Sequence, residues 1–273
     1  AVVYRIPVTE AGSDDQVCGP VYQLKAVPSD GTGMWTFPGA VVSGDPSLYN
    51  ATVAIDSSFT TANVTYKFIW KEQNGICSSK DSVLIRFDNR IDLVDAGTGG
   101  DIMSFDNAVM VNASDLLSFE SGLWTIESGS GDIEFPESDS TYIKGLVTGE
   151  NSFRWTVTNG VCVLSDIITF IISNPVIPEL VSPNEDGIND DLAITGLDFN
   201  TQTIDLTILN GAGTPVFSTT NKNGNSEWEN WNGLNSKGVE MPEGTYYYLL
   251  KVSSGKVPGN ISKRSGFIIL KRQ

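Results

Sequence analysis

Ten residues, Ser182 to Asp191 (SPNEDGINDD), gather the side chains best suited to chemistry in this chain. Asn184, Asp186, Asn189, Asp190 and Asp191 place carboxylate or amide oxygens close together, and Gly187 lets the backbone turn between them. Ca²⁺ takes about six to eight oxygen ligands, so these side chains and the Ile188 carbonyl could form a cation site. The spacing is not that of an EF-hand. With Asn184, Asp186 and Gly187 at the third, fifth and sixth loop positions, the twelfth falls on Ala193 and the bidentate Glu is missing. The same residues also suit a chain of Asx turns, in which Asn and Asp oxygens accept hydrogen bonds from nearby backbone N–H groups. Both readings stand on the sequence.

Catalytic chemistry is poorly supplied. The chain has no His, which removes the commonest general base, the usual triad member and a frequent metal ligand. Three cysteines remain, Cys18, Cys77 and Cys162, and an odd count leaves one without an internal partner. Cys162 has no imidazole to activate it as a nucleophile. Cys18 and Cys77 could face each other across a sandwich, and the expected disulfide is Cys18–Cys77, which implies an oxidising compartment. The second repeat offers Phe105 or a neighbour where Cys18 would stand. Three buried thiols are the alternative. Glu134, Glu137 and Asp139 read as a solvated acidic loop rather than an acid/base pair. No catalytic site is expected, and the chain reads as a non-enzyme.

Net charge is −16, distributed unevenly. Residues 175–273 hold 8 Lys/Arg against 11 Asp/Glu, and residues 1–174 hold 9 against 22. Phosphate contact needs cationic surface, so nucleic acid is an unsuitable partner. No apolar run approaches the ~18 residues of a membrane helix. The sequence opens at Ala1 without a signal-peptide pattern, which reads as a mature form or the tail of a longer protein.

The elements that must position these residues come from an internal repeat. Residues 68–77 (FIWKEQNGIC) and 153–162 (FRWTVTNGVC) share F-x-W-x-x-x-N-G-[IV]-C at an offset of 85. Ala11-Gly12 matches Ala96-Gly97 at the same offset, and Met34-Trp35-Thr36 matches Leu123-Trp124-Thr125 at 89. Apolar alternation over Thr65–Trp70 and Ser152–Val157 predicts strands, and Asn74-Gly75 and Asn159-Gly160 are hairpin signals. No helical period is present. Repeats of this length, with a Trp on each inner strand, suggest immunoglobulin-like sandwiches. They resemble the polycystic-kidney-disease-type and related modules of large bacterial surface proteins. Asn174-Pro175-Val176-Ile177-Pro178 reads as a linker, and strand-like segments follow it. The expected fold is all-β: three tandem immunoglobulin-like β-sandwich domains over 1–88, 89–174 and 175–273.

The third segment carries a more specific likeness. IPELVSPNEDGINDDLAITGL (177–197) is followed in order by IDLTILNGAG (204–213), Pro215-Val216-Phe217, Trp231-Asn232-Gly233, Pro242 to Tyr248 and Gly266-Phe267-Ile268. Together these resemble the gliding-motility-associated C-terminal domain, the type B sorting domain of the type IX secretion system. The matching motif residues are Ser182, Pro183, Asn184, Asp186, Gly187, Asn189, Asp190, Trp231, Gly233, Gly244, Tyr246, Tyr248 and Gly266. Gly211-Ala212 and the Trp-Asn-Gly in place of Trp-Asp-Gly depart from the family pattern.

The resemblance implies a folded secretion signal read by outer-membrane β-barrel proteins of the translocon, either a shuttle barrel or a dedicated partner. It implies export through the periplasm to the cell surface, the outer membrane or the medium, and passengers used in gliding or adhesion. The tail of a larger secreted enzyme and a calcium-stiffened adhesin are the rival readings.

Overall fold

The computed structural model describes residues 3–39, 41–56, 63–103, 108–222, 225–254 and 261–272. Every regular element among them is a β-strand. The first repeat supplies β1 (Asp15–Cys18), β2 (Val21–Gln23), β3 (Thr32–Thr36), β4 (Val41–Ser43), β5 (Thr52–Ile55), β6 (Val64–Asn74) and β7 (Cys77–Asp88). The second supplies β8 (Gly100–Met103), β9 (Ala108–Asn112), β10 (Ser121–Ser128), β11 (Asp132–Ile133), β12 (Ser140–Lys144), β13 (Gly149–Asn159) and β14 (Cys162–Ser173). The two sheets of the first repeat are ordered β1-β7-β6-β3 and β2-β5-β4, and those of the second β8-β14-β13-β10 and β9-β12-β11. In both repeats the short first strand runs parallel to the last. The chain is therefore all-β, and one immunoglobulin-like two-sheet plan is used twice.

Alternation explains the strands. Along β6, Phe68 and Trp70 turn inward while Lys67 and Lys71 stay exposed, and on β7 Val83, Ile85 and Phe87 face the same core. Burying each such side chain contributes about 1.5–3 kcal/mol. Trp35 packs against Trp70 with centroids 5.2 Å apart, and Trp124 against Trp155 at 5.1 Å. The indoles of Trp35 and Trp124 donate to the carbonyls of Tyr49 and Ser138. A further repeat feature, unnoticed in the sequence, is a pair of aspartates: Asp81 accepts from Ala11 N at 2.8 Å and Asp166 from Ala96 N at 2.9 Å. The hairpin loops are Gly75-Ile76 and Gly160-Val161, both glycines at φ 58° in the first loop position. Asn74 and Asn159 thus close the strands rather than forming the turns.

By packing, the chain divides into two compact units. One is Ala1–Val94 with Ser114–Leu123 and Thr156–Ser165, and the other is Asp95–Ala113, Trp124–Trp155 and Asp166–Gln273. The hairpin tip of the second repeat therefore belongs with the first repeat.

The cysteine pairing, which lies within the first of these units, corrects the sequence expectation. Cys18 is bonded to Cys162, with Cα atoms 5.0 Å apart, and Cys77 is a free thiol. The register shows why Cys18–Cys77 cannot form. Cys18 lies beside Asp88 at one end of the 12-residue β7, and Cys77 begins that strand at the other end. At ~3.3 Å per residue the two are roughly 36 Å apart, whereas a disulfide needs Cα atoms within about 7 Å. Phe105 lies outside the described residues. By the matching of β1 with β8, Met103 holds the position of Cys18.

Around the bond, the Asp88 side chain is fully buried and accepts from Arg86 Nε at 2.7 Å and Val161 N at 2.9 Å. Asn159 Nδ2 donates to the Asn89 carbonyl at 2.8 Å and to Asn63 Oδ1 at 3.0 Å. A buried carboxylate with such partners fixes the joint, because removing either side leaves a costly unpaired group.

The third segment folds around one six-stranded sheet, ordered β15-β20-β19-β16-β17-β18. Its strands are β15 (Leu180–Val181), β16 (Gln202–Leu209), β17 (Pro215–Lys222), β18 (Asn225–Ser226), β19 (Gly244–Ser254) and β20 (Ile261–Leu270). Ile204, Leu206, Ile208, Tyr246, Tyr248, Leu250, Ile268 and Leu270 face inward. The layer opposite them is irregular rather than stranded: Leu192, Ile194 and Trp231 complete the core, with Phe199, Trp228 and Met241 packed against it.

Candidate functional site

The Asn/Asp-rich loop follows β15 and is organised by one carboxylate. Asp190 Oδ1 accepts from Asn184 N at 3.0 Å and Glu185 N at 2.8 Å, and its Oδ2 accepts from Gly187 N at 2.8 Å. These donors, Gly187 foremost, hold the Asp190 carboxyl below the ordinary carboxylate range. Asn184 accepts from Asp186 N and Asp186 from Ile188 N, which are two successive Asx turns. Ser182 N donates to the Asn189 carbonyl at 2.6 Å and Ser182 Oγ to the Ile188 carbonyl at 3.2 Å. Glu185 and Asn189, like Gly187, adopt positive φ.

Of the two readings, this arrangement takes the Asx-turn form at Asn184, Asp186, Ile188, Asn189, Asp190 and Asp191. Both Asp190 oxygens face N–H donors, the Ile188 and Asn189 carbonyls accept from Ser182, and Asp191 Oδ1 accepts from Asn230 Nδ2 at 3.3 Å. Among the described residues no cluster of three or more His, Cys, Asp or Glu could hold a metal ion. The loop is a turn scaffold held by its own backbone.

Motif residues distant in sequence converge beside this loop. Leu192 N donates to the Trp231 carbonyl at 2.8 Å, and Lys271 N to the Val181 carbonyl at 3.0 Å. Trp231 is fully buried, its ring 5.0 Å from that of Tyr246, and its indole N–H donates to the Leu234 carbonyl. Gly244 opens β19 opposite Leu270, and Tyr246 OH, whose phenol burial pushes up, donates to the Pro242 carbonyl. Arg272 donates to the Gly233 carbonyl at 2.9 Å and, through its backbone, to Glu243 at 2.7 Å. Pro183 sits between β15 and the turns. One end of the sheet thus carries the loop, Trp231–Gly233, Gly244–Tyr246 and the strand end at Leu270–Arg272. Gly266 lies farther along, directly across from Tyr248, and a Cβ there would stand 2.6 Å from the Tyr248 hydroxyl. The departure at Gly211-Ala212 falls in a turn closed by Asn210, which accepts from Ala212 N and Thr214 N.

The sequence motifs did not single out the outer face of this sheet. Tyr247, Leu249, Phe267, Ile269 and Leu180 are each exposed by more than a third there. Tyr247 pairs with Phe267 and Leu180 with Ile269, so the five form one apolar strip. The period-2 pattern of Tyr246-Tyr247-Tyr248 is the signal that could have placed Tyr247 outward. Among the described strands, β15 covers only the Ile269–Leu270 end of β20 and β18 only the Asn221–Lys222 end of β17.

Residues 176–270 match the family CHU_C, the type IX secretion signal domain. The chain thus carries a type IX secretion signal, and such a signal directs a protein to the cell surface or into the medium.

A comparison with curated proteins finds no match. Among solved structures, a three-immunoglobulin-domain fragment of titin (I67–I69, an E-to-A variant) is 9% identical with a TM-score of 0.42, covering 100% of each chain. The PKD domain from the KIAA 1837 protein is 21% identical over 30% of this chain and 85% of its own, with a TM-score of 0.27. Dimeric latent PorU from Porphyromonas gingivalis is 10% identical over 96% of this chain and 32% of its own, with a TM-score of 0.26. The immunoglobulin-like assignment rests on the strand order, not on these scores.

Proposed function

We propose that this chain is the display-and-export part of a non-catalytic surface protein. The third domain is recognised, already folded, by an outer-membrane β-barrel of the type IX translocon after passage through the periplasm. The two immunoglobulin-like repeats hold the passenger away from that anchor for adhesion or gliding. The observation that carries the reading is the convergence of the sorting motifs on one end of a domain that matches the secretion-signal family. The apolar strip around Tyr247 and Phe267 adds a surface that a barrel can cover, and the uncovered stretches of β17 and β20 suit strand addition. Deleting residues 175–273 tests the proposal in a strain that secretes the protein. The truncated chain is expected to accumulate in the periplasm with its Cys18–Cys162 bond formed. Normal surface delivery of the truncated chain overturns the reading.

A further inference from the structure

The two hairpin cysteines occupy equivalent places, yet one is bonded and the other free. Cys77 and Cys162 each follow a Gly-X loop at the start of the longest strand of their repeat. At the second hairpin, Asn159 Nδ2 donates to the Asn89 carbonyl, and Gly160 leaves room for the Asp88 carboxylate, 1.9 Å from where a Cβ would be. Cys162, 2% exposed, is bonded to Cys18 at the end of the first strand of the preceding repeat. At the first hairpin, Asn74 Nδ2 donates to the Arg5 carbonyl at 3.1 Å, and Gly75 leaves room for the Tyr4 ring, 2.3 Å from where a Cβ would be. Tyr4-Arg5 therefore lies on this hairpin as Asp88-Asn89 lies on the other, at an offset of 84, one less than the 85 that separates the hairpins themselves. What the first hairpin lacks is a Cys18. Cys77 is only partly buried, and Ile76 beside it is 91% exposed, against 46% for its counterpart Val161.

The acceptor end shows the same logic. Met103 takes the Cys18 position in the second repeat, is 2% exposed, and packs in one core with Leu250 and Val252 of the following domain. The end of a repeat's first strand is where the next domain attaches: through a disulfide when that domain is a repeat with a hairpin cysteine, through apolar packing when it is the secretion domain.

We infer that Cys77 is the attachment point for a further immunoglobulin-like repeat, lying before Val3 in the full-length protein, whose first strand ends in a cysteine. The bond forms as the internal one does. Two thiols lose two protons and two electrons to the disulfide of a cell-envelope thiol oxidoreductase, which leaves as a dithiol. Each repeat would then be bonded to the next at a hairpin already hydrogen-bonded to it by the hairpin Asn. Neither Cys18 nor Cys162 can compete, since both lie roughly 36 Å away along β7.

The test is non-reducing peptide mapping of the full-length protein taken from cells, with free thiols blocked by N-ethylmaleimide before lysis. The expected result is a Cys77 peptide linked to a peptide from the first strand of an upstream immunoglobulin-like repeat. In a Cys77→Ser variant that upstream peptide is expected to carry the maleimide instead. Recovery of Cys77 as the maleimide adduct, linked to Cys77 of a second copy, or capped by a small thiol overturns the inference.

Discussion

Replacing Cys18 and Cys162 together by alanine tests the joint between the repeats. The bond closes a sequence separation of 144 residues. In the chain-entropy model a loop of that length removes about 17 cal/mol/K from the unfolded ensemble, or about 5 kcal/mol at 25 °C. Part of the closure is supplied without the bond, because Asn159 and Val161 are hydrogen-bonded to Asn89 and Asp88. The expected loss is therefore about 2–5 kcal/mol. In a domain of ~100 residues, even ~2 kcal/mol lowers Tm by about 8–16 °C. The assay is thermal unfolding of the 273-residue chain, parent against C18A/C162A, with and without dithiothreitol. Reduction should lower the parent's Tm and leave the double variant's unchanged. C77A should melt with the parent, whereas a Cys18–Cys77 pairing would make C77A the damaging change and C162A harmless. A double variant melting within ~2 °C of the parent refutes the reasoning.

Four further outcomes follow from the third domain. Trp231→Ala empties a fully buried site against Tyr246 and should cost about 3–5 kcal/mol of that domain's stability in urea. Gly266→Val drives a side chain into the Tyr248 ring and should cost about 1–3 kcal/mol, seen as a lower Tm. The carboxyl of Asp190 is lowered in the folded state, so its contribution is present above the ordinary carboxylate value and lost as pH falls through the folded one. Asp190→Asn should therefore flatten the acid limb of the domain's melting profile, and an unchanged limb contradicts the loop account. Adding Ca²⁺ or EGTA should leave the melting temperature unchanged, because the loop oxygens are already committed to N–H donors.

Much of the fold was legible because the repeat writes it twice. The F-x-W and N-G-x-C elements fixed the two longest strands and their hairpin, and period-2 alternation gave their inner faces. Cysteine connectivity was not legible, since three cysteines say nothing about which ends of the strands meet. The decisive quantity was the parallel register of β1 on β7, which puts Cys18 at the Asp88 end. The loop SPNEDGINDD illustrates a different limit. Carboxylates that bind metal and carboxylates that bind backbone amides share a composition, and only the direction of the N–H groups around Asp190 separates them. The second layer of the secretion domain escaped sequence reading because Leu192, Ile194 and Trp231 sit in irregular segments, where no period marks burial.

The central proposal is that residues 175–273 suffice as a folded export signal, read at their motif end and over the apolar strip of Tyr247 and Phe267. Its most direct test is transfer. These residues are fused to a reporter that stays in the periplasm on its own, and the fusion is expressed in cells with a working type IX system. Surface or medium fractions should hold the reporter, and should lose it when Tyr247 and Phe267 are both changed to Glu without loss of folding by circular dichroism, or when the translocon is deleted. A correctly folded fusion that remains periplasmic, or one exported equally well without the translocon, contradicts the account.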